Sequence, residues 1–319
     1  MLIYLQLILA MFFYGLSFVS TKVVLASLGP ITILWIRLLL SACFLILLDS
    51  VIPDRRAVRS RWPHRADLGS LLLVTLFQPL IYFVAETTGL QYVSASIASI
   101  IIATIPVFTP VFARPFLGER IRPLTVVGLL LSLAGVATIV LERRIDAQFT
   151  PGGLALVFTA VLAAVGYTIA VKRVAPRYRP LSIVKLQSLF GLPVLLVLGL
   201  SIEGAPSSIP PPPALAHLLY LGIFPSSLAF VFLSTGIRKL GANRTNVFVN
   251  LVPVFTAVVA WTVLGEVFTA QKILGMAIVI AGVLAAQRGQ SAGGPRSRPA
   301  KRRPDLPSAT GRRSSCLGS

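Results

Sequence analysis

Three ionisable side chains stand inside long apolar runs of the 319-residue chain: Lys22, Arg37 and Glu86. Charge is expensive in such surroundings. Where it survives it marks a substrate path or a proton relay, or else a cation whose stem carries its head out to the surface. Glu86 is the one carboxylate of the three, so a proton-moving mechanism would have to run through it, with Lys22 and Arg37 as the cations it could pair with. A second constellation lies in ANRTNVFVNLVPVFTAVVAW, where Asn243, Asn246, Asn250 and Pro253 recur at spacings of 3, 4 and 3, one face of a helix. An earlier stretch puts Ser96, Ser99, Ala103 and Pro106 on the same pattern. Such a stripe is costly against hydrocarbon, so it either lines a wet cavity or bonds helix to helix. The prolines each remove one helical hydrogen bond and free a carbonyl about four residues earlier. Tyr14, Ser17, Tyr82, Tyr167 and Trp261 could line the same cavity; packing or interfacial anchoring is the plainer reading for each alone.

Other chemistries find no footing. The chain has no G-x-x-x-x-G-K-[ST] loop, no G-x-S-x-G elbow and no H-E-x-x-H. His64 and His217 have no partners in the sequence pattern, and Cys43 and Cys316 lie in environments too different for a disulfide or a metal site. Neither a catalytic pair nor a metal or cofactor is expected.

The elements that must hold these residues are membrane helices. Hydrophobic residues make up 55% of the chain and charged ones 12%, with a mean hydropathy of +0.86, about half the charge of a soluble domain. At roughly 20 apolar residues per span the chain offers ten windows, near 2–22, 30–50, 69–91, 95–116, 123–141, 152–172, 181–201, 214–235, 244–264 and 271–287. The N-terminal run lacks a basic leader and reads as a retained first span. The net charge of +19 is a topology signal. With the N-terminus inside, fifteen Lys and Arg before residue 288 fall at inner loops and edges and four at outer ones, as the positive-inside rule requires. Nucleic acid is therefore not an expected partner. Both termini are placed in the cytoplasm and the chain in the cell membrane. By rise per residue, Arg37 and Glu86 lie roughly 10 and 8 Å below the outer edge, with Lys22 near the outer end of helix 1.

The chain also repeats itself. PVFTPVFARPFLGER (106–120) returns 147 residues later as PVFTAVVAWTVLGEV (253–267). The offset also relates Thr88-Gly89 to Thr235-Gly236, Gly128 to Gly275 and Gly135-Val136 to Gly282-Val283. Two units result, 1–146 and 147–287, with five spans each, followed by a basic, disordered tail over 288–319 suited to anionic headgroups. An odd number of spans inverts the second copy. Inverted repeats are a recurring plan of secondary transporters, with the site near the midplane; duplication that merely enlarged a bundle is the alternative. The fold class is all-α integral membrane, ten transmembrane helices in two inverted-topology five-helix repeats. Gly118-Glu119 and Gly265-Glu266 close helices 4 and 9 at opposite faces and read as structural turns. The small faces Gly128–Ser132–Gly135 and Gly275–Gly282 suit either packing between helices 5 and 10 or a dimer contact.

These features resemble the drug/metabolite transporter superfamily, EamA-like branch. The residues that carry the likeness are Tyr14-Gly15, Ser17, Lys22, Arg37, Pro106, Leu117-Gly118-Glu119-Arg120, Gly128, Gly135, Pro253, Leu264-Gly265-Glu266, Gly275 and Gly282. The resemblance implies ten spans, cytoplasmic termini and a central cavity between inverted halves, in a family that moves small metabolites, often outward. Tyr14 stands where a Trp before the Gly is common, and helix 1 lacks the carboxylate that small multidrug members use there, which shifts attention to Glu86. The expectation is a secondary transporter, an exporter by preference, of a small polar or amphipathic metabolite. It would work by alternating access about Pro106 and Pro253, with Glu86 as the proton-coupling candidate. A membrane-embedded enzyme or sensor and a lipid or headgroup flippase are the alternatives, and the assembly is a monomer or a homodimer.

Overall fold

A computed structural model describes residues 2–51, 63–109, 112, 123–140, 150–206, 208–241, 245, 247–266 and 269–291. Among these, ten helices fall where the hydropathy put them. Six are long and apolar enough to cross a bilayer: α1 (Leu2–Leu25), α2 (Pro30–Val51), α3 (Arg65–Gly89), α6 (Pro151–Val174), α7 (Pro180–Ile202) and α8 (Pro212–Leu240). Four have shorter apolar stretches: α4 (Ala95–Thr109), α5 (Pro123–Val140, apolar over Val126–Thr138), α9 (Phe248–Leu264) and α10 (Ala270–Ser291, apolar over Ala270–Ala285). Prolines open α2, α5, α6, α7 and α8, a position where the missing N–H costs nothing. Leu5, Leu47, Val197 and Leu200 face outward around the bundle, a surface that suits lipid and not water.

The helix starts are capped across the bundle as well as locally. Thr150 accepts from the Gly153 N–H at 3.1 Å, and Ser94 from that of Ile97 at 3.3 Å. Glu203, closing α7, accepts from the N–H groups of Ile31 and Thr32 at 2.9 and 2.8 Å, satisfying orphan donors of α2. Gly29 leaves room for that carboxylate, since a Cβ there would stand 2.3 Å from Glu203 Oε2. At the opposite end of the bundle Asp49 of α2 holds Lys185 of α7 at 2.6 Å and Arg179 at 3.4 Å. Asp67 pairs with Arg177 there and accepts from the Tyr178 hydroxyl at 3.0 Å.

The internal symmetry is visible in contacts. Ser41 and Ser188, 147 positions apart, meet Oγ to Oγ at 3.1 Å between α2 and α7. Ser132 Oγ donates to the Val279 carbonyl at 3.4 Å, again across 147 positions. Phe83 and Phe230 face each other edge-on at 5.8 Å. The small faces of α5 and α10 pack on one another: a Cβ on Gly135 would lie 2.7 Å from Val279 N, and one on Gly282 would lie 2.6 Å from Ser132 N. Of the two uses open to those glycines, the structure assigns packing within the chain.

Among the described residues four helices are broken, two of them where the sequence reading placed no break. Pro79 sits in a wide turn over Leu76–Ile81 that interrupts α3, with Gln78 fully extended (φ −153°, ψ 120°). Pro225 sits in the matching turn Phe224–Ala229 of α8. α4 is interrupted at Ala103–Thr104, before Pro106. α9 passes from a tight 3₁₀ turn (Val247–Leu251) to α-helix (Val252–Val259) ahead of Pro253, then widens over Ala260–Leu264. The prolines of α4 and α9 mark changes of helix type, which is how a chain absorbs a lost i→i−4 bond.

Candidate functional site: a charged cavity between the halves

The break in α3 turns Gln78 inward, and α8 presents Phe230 and Leu233 just after its own break. A cavity lies between the halves, lined among others by Tyr14, Ser17 and Phe18 of α1, Arg37 of α2, Gln78, Tyr82, Phe83 and Glu86 of α3, Tyr167 and Thr168 of α6, Phe230 and Leu233 of α8, and Val249 and Val252 of α9. Its volume is about 80 Å³, room for roughly five to eight waters or one small metabolite.

Its charges are held apart. The Tyr82 hydroxyl donates to Glu86 Oε1 at 2.8 Å, one helical turn away. Arg37 donates from Nε to Ser226 Oγ at 3.2 Å, and its guanidinium lies over the Phe83 ring, 4.6 Å from the centroid. That stacking suits a weakly hydrated cation. Arg37 is 2% exposed and Glu86 7%, yet among the described residues no ion pair joins them. They face one space with opposite sign, and the coupling between them is electrostatic through the cavity. Among the described residues the Tyr14 hydroxyl is buried there with no hydrogen-bond partner, while the Tyr167 hydroxyl lies beside Ser234 and Gln187. Phe230 is the hub of the aromatic wall, with Tyr14, Phe83 and Tyr167 at 5.3, 5.8 and 6.0 Å.

Of the sequence candidates, Tyr14, Ser17, Arg37, Tyr82, Glu86 and Tyr167 therefore converge on one cavity. Lys22 does not join Arg37 and Glu86; its charge is felt by Glu266 instead. Glu266 Oε1 accepts the Ala95 N–H at 2.8 Å, so the end of α9 caps the start of α4. Gly265 makes the turn that delivers it, in the left-handed region at φ +64°. Ser99 spends its hydroxyl on the Ser96 carbonyl at 2.8 Å and lies in the core. Pro106 and Pro253 are buried at the helix breaks, and Val252, beside Pro253, reaches the cavity. Asn250 has its amide atoms buried without a partner and is not one of the cavity's lining residues. Trp261 is 65% exposed on the outer surface. Asn243, Asn246, Gly118 and Glu119 lie outside the described residues. The sequence reading missed Gln78, Phe83, Phe230 and Thr168; the repeated Phe at 83 and 230 and the Gln-Pro inside an apolar run were the signals for three of them. Among the described residues no group of His, Cys, Asp or Glu could hold a metal ion.

Ten helices in two halves, interlocked at positions 147 apart and enclosing a charged cavity, can be set beside known proteins. The model of the EamA-like transporter family matches residues 1–141 and again 151–286. The chain belongs to the EamA-like transporter family. As such it is a multi-pass membrane protein and a transporter rather than an enzyme. It is 26% identical to an uncharacterized transporter of Archaeoglobus fulgidus over 87% of this chain and 95% of that one. It is 31% identical to a protein of Streptantibioticus cattleyicolor named "Probable terminal-alkyne amino-acid exporter", over 72% of this chain and 76% of the relative. A solved crystal structure at 18% identity matches with a TM-score of 0.64, over 89% of this chain and 96% of that chain, which speaks to the fold. This EamA-like transporter thus shares its architecture with relatives that fill nearly the same length.

Proposed function

We propose that the cavity carries one small zwitterionic metabolite of amino-acid size across the membrane, as an exporter working by alternating access. The carrying observation is that Glu86 and Arg37 face one cavity without pairing with each other. A carboxylate fixed by Tyr82 suits an ammonium group, and a guanidinium pinned over Phe83 suits a carboxylate. A zwitterion closes both interactions at once, which offsets the cost of holding two buried charges apart. The aromatic wall takes the apolar remainder. The 31% identical relative, named as an amino-acid exporter, supports this class.

In this reading the positive-inside pattern sets the Asp49–Lys185 end in the cytoplasm and the Lys22–Glu266 end outside. The Glu266–Ala95 bond holds the outer ends of α9 and α4 together, closing that side. Opening it requires α4 and α9 to bend at Pro106 and Pro253, and α3 and α8 at Pro79 and Pro225, all of them breaks whose backbone bonds are already spent. Glu86 also serves as the proton carrier: emptied of ammonium, it returns protonated.

The test is calorimetry on purified protein in detergent with matched series of amino acids, their methyl esters and their N-acetyl derivatives. The zwitterion binds best and either blocked form loses about tenfold or more, since each strands one buried charge. Equal binding of blocked and free forms would sink the reading, and binding of lipid alone would favour a flippase.

A further inference from the structure

The break in α3 leaves one polar side chain in the cavity wall with nothing to bond. Gln78 is 4% exposed, lines the cavity and has an extended backbone where the helix is interrupted. Positions 78, 82 and 86 repeat every four residues, one face of α3, and all three residues line the cavity. Tyr82 and Glu86 spend their groups on each other. Gln78 takes no part in that bond, and among the described residues its amide makes no hydrogen bond at all. The Asn250 amide is unbonded too, but both its polar atoms are sealed in the packing; no such seal covers the Gln78 amide. Were Gln78 a structural cap, its amide would hold the backbone groups that the break frees. It holds none, and natural interiors leave few such groups unmet.

Depth sets Gln78 apart from the charges. At about 1.5 Å of rise per residue it lies roughly 12 Å from Glu86 along α3. Because α3 runs outward under the positive-inside pattern, that displacement is toward the cytoplasm. The packing fits this placement: a Cβ on Gly166 of α6 would stand 2.5 Å from Phe77 Cε1. The break therefore lies against α6 beside Tyr167 and Thr168, which also line the cavity. Glu86 and Arg37 hold the outer end of the space, and Gln78 the inner end. We infer that Gln78 is a specificity-determining residue of the transporter. It reads the far tip of the transported molecule and takes an uncharged hydrogen-bonding group, a carboxamide above all, on a side chain long enough to reach it. The inference rests on the zwitterion reading of the Glu86–Arg37 end and names the side chain that goes with it.

Charge and valence select that class. The Gln78 amide offers two donors and one acceptor, and no charge. A charged tip would sit against it without a counter-ion, which a buried site cannot offset. An apolar tip would strip the amide of water and leave it unmet. A second carboxamide meets its donor and its acceptor together. Length matters as well, because a short side chain whose head lies between Glu86 and Arg37 stops before the inner end. Sites built to hydrogen-bond a polar substrate group reject the isostere lacking it far more strongly than apolar pockets reject an extra methylene.

The experiment is titration calorimetry of the full chain in detergent with glutamine and its near-isostere norleucine. The same pair is then titrated into Gln78→Leu, and ornithine into the native protein and Gln78→Glu. In the native protein glutamine binds about tenfold tighter than norleucine or more. In Gln78→Leu that ratio falls to one or inverts. In Gln78→Glu the affinity for ornithine rises about tenfold or more, since a carboxylate now faces its terminal ammonium. A damaged fold does not produce a gain, so this variant decides the matter even where Gln78→Leu fails to fold. Equal native binding of glutamine and norleucine overturns the inference, as does a glutamine preference that survives Gln78→Leu. Unchanged ornithine affinity in Gln78→Glu overturns it too, and so does binding of other amino acids but of neither member of the pair. Each of these results brings down this inference alone, whereas binding of no amino acid at all brings down the zwitterion reading with it.

Discussion

Replacing Gly135 by Ala tests whether close approach of α5 and α10 holds the two halves together. In a bilayer the lipid tails are as apolar as the helices, so association rests on packing and not on the removal of water. A Cβ at Gly135 would meet Val279 N at 2.7 Å and the Gly275 carbonyl at 2.8 Å. Both are backbone atoms, which cannot swing aside. Ordinary contact needs about 3.5 Å or more, so the helix axes must part by roughly 0.7–1 Å. A gap of that size forfeits a quarter to a half of the dispersion well for every atom pair along the seam. Overpacking of this kind costs about 1–3 kcal/mol. Alanine's better helix propensity returns about 0.8–1 kcal/mol, leaving a net loss of roughly 0–2 kcal/mol, centred near 1. Gly282→Ala should do the same or worse, since its Cβ meets Ser132 N at 2.6 Å and the Gly128 carbonyl at 2.7 Å. Gly69→Ala is the control: nothing lies within 4 Å of its Cβ, and the change is neutral or stabilising. The assay is unfolding in mixed micelles of a mild detergent with increasing dodecyl sulfate. Gly135→Ala unfolding at the native midpoint while Gly69→Ala also matches it would refute the packing argument.

The other consequences are more local. Glu86→Gln and Arg37→Gln each remove one charged partner of the proposed zwitterion and should raise its Kd roughly 10- to 150-fold; calorimetry showing unchanged affinity in either would remove that residue from the site. Glu266→Ala strands the Ala95 N–H and should cost about 1–3 kcal/mol in the same micelle assay, with Glu266→Gln recovering part; equal stability of all three forms would show that the cap is idle. Asp49→Asn leaves Lys185 and Arg179 facing a neutral side chain and should cost about 3 kcal/mol, while Asp49→Asn combined with Lys185→Gln recovers part of it. A double variant no better than the single would mean that the pair carries no coupling.

Hydropathy located all ten helices because lipid leaves a chain no cheaper way to satisfy its backbone, and the 147-residue offset marked the small faces of helices 5 and 10 while leaving packing between them and a dimer contact both open. Rise per residue was enough to put Arg37 and Glu86 at one depth. It could not say which way a side chain points, so Lys22, at similar depth, went to the wrong cluster, and Ser99 and Trp261 were candidates that face the core and the outer surface. The breaks at Pro79 and Pro225 were missed for a physical reason: apolar periodicity continues through a wide turn unchanged, because the turn alters the backbone and not the composition.

The repeat also explains where chemistry is found and where it is not. Positions that set the frame are kept in both halves: Gly135 and Gly282, Pro106 and Pro253, Phe83 and Phe230. Positions that set the charge are not. Under the same offset Arg37 corresponds to Val184, Tyr82 to Ala229 and Glu86 to Leu233. Duplicating the charges would build a second costly pair of buried ions for no further ligand. A scaffold that opens alternately to two sides gains from two equivalent sets of breaks and packing faces, because each side then opens by the same motion. A ligand of the proposed zwitterionic class has no two-fold axis and asks for one acidic and one basic partner. Symmetric breaks around an asymmetric cavity are the arrangement both demands together produce.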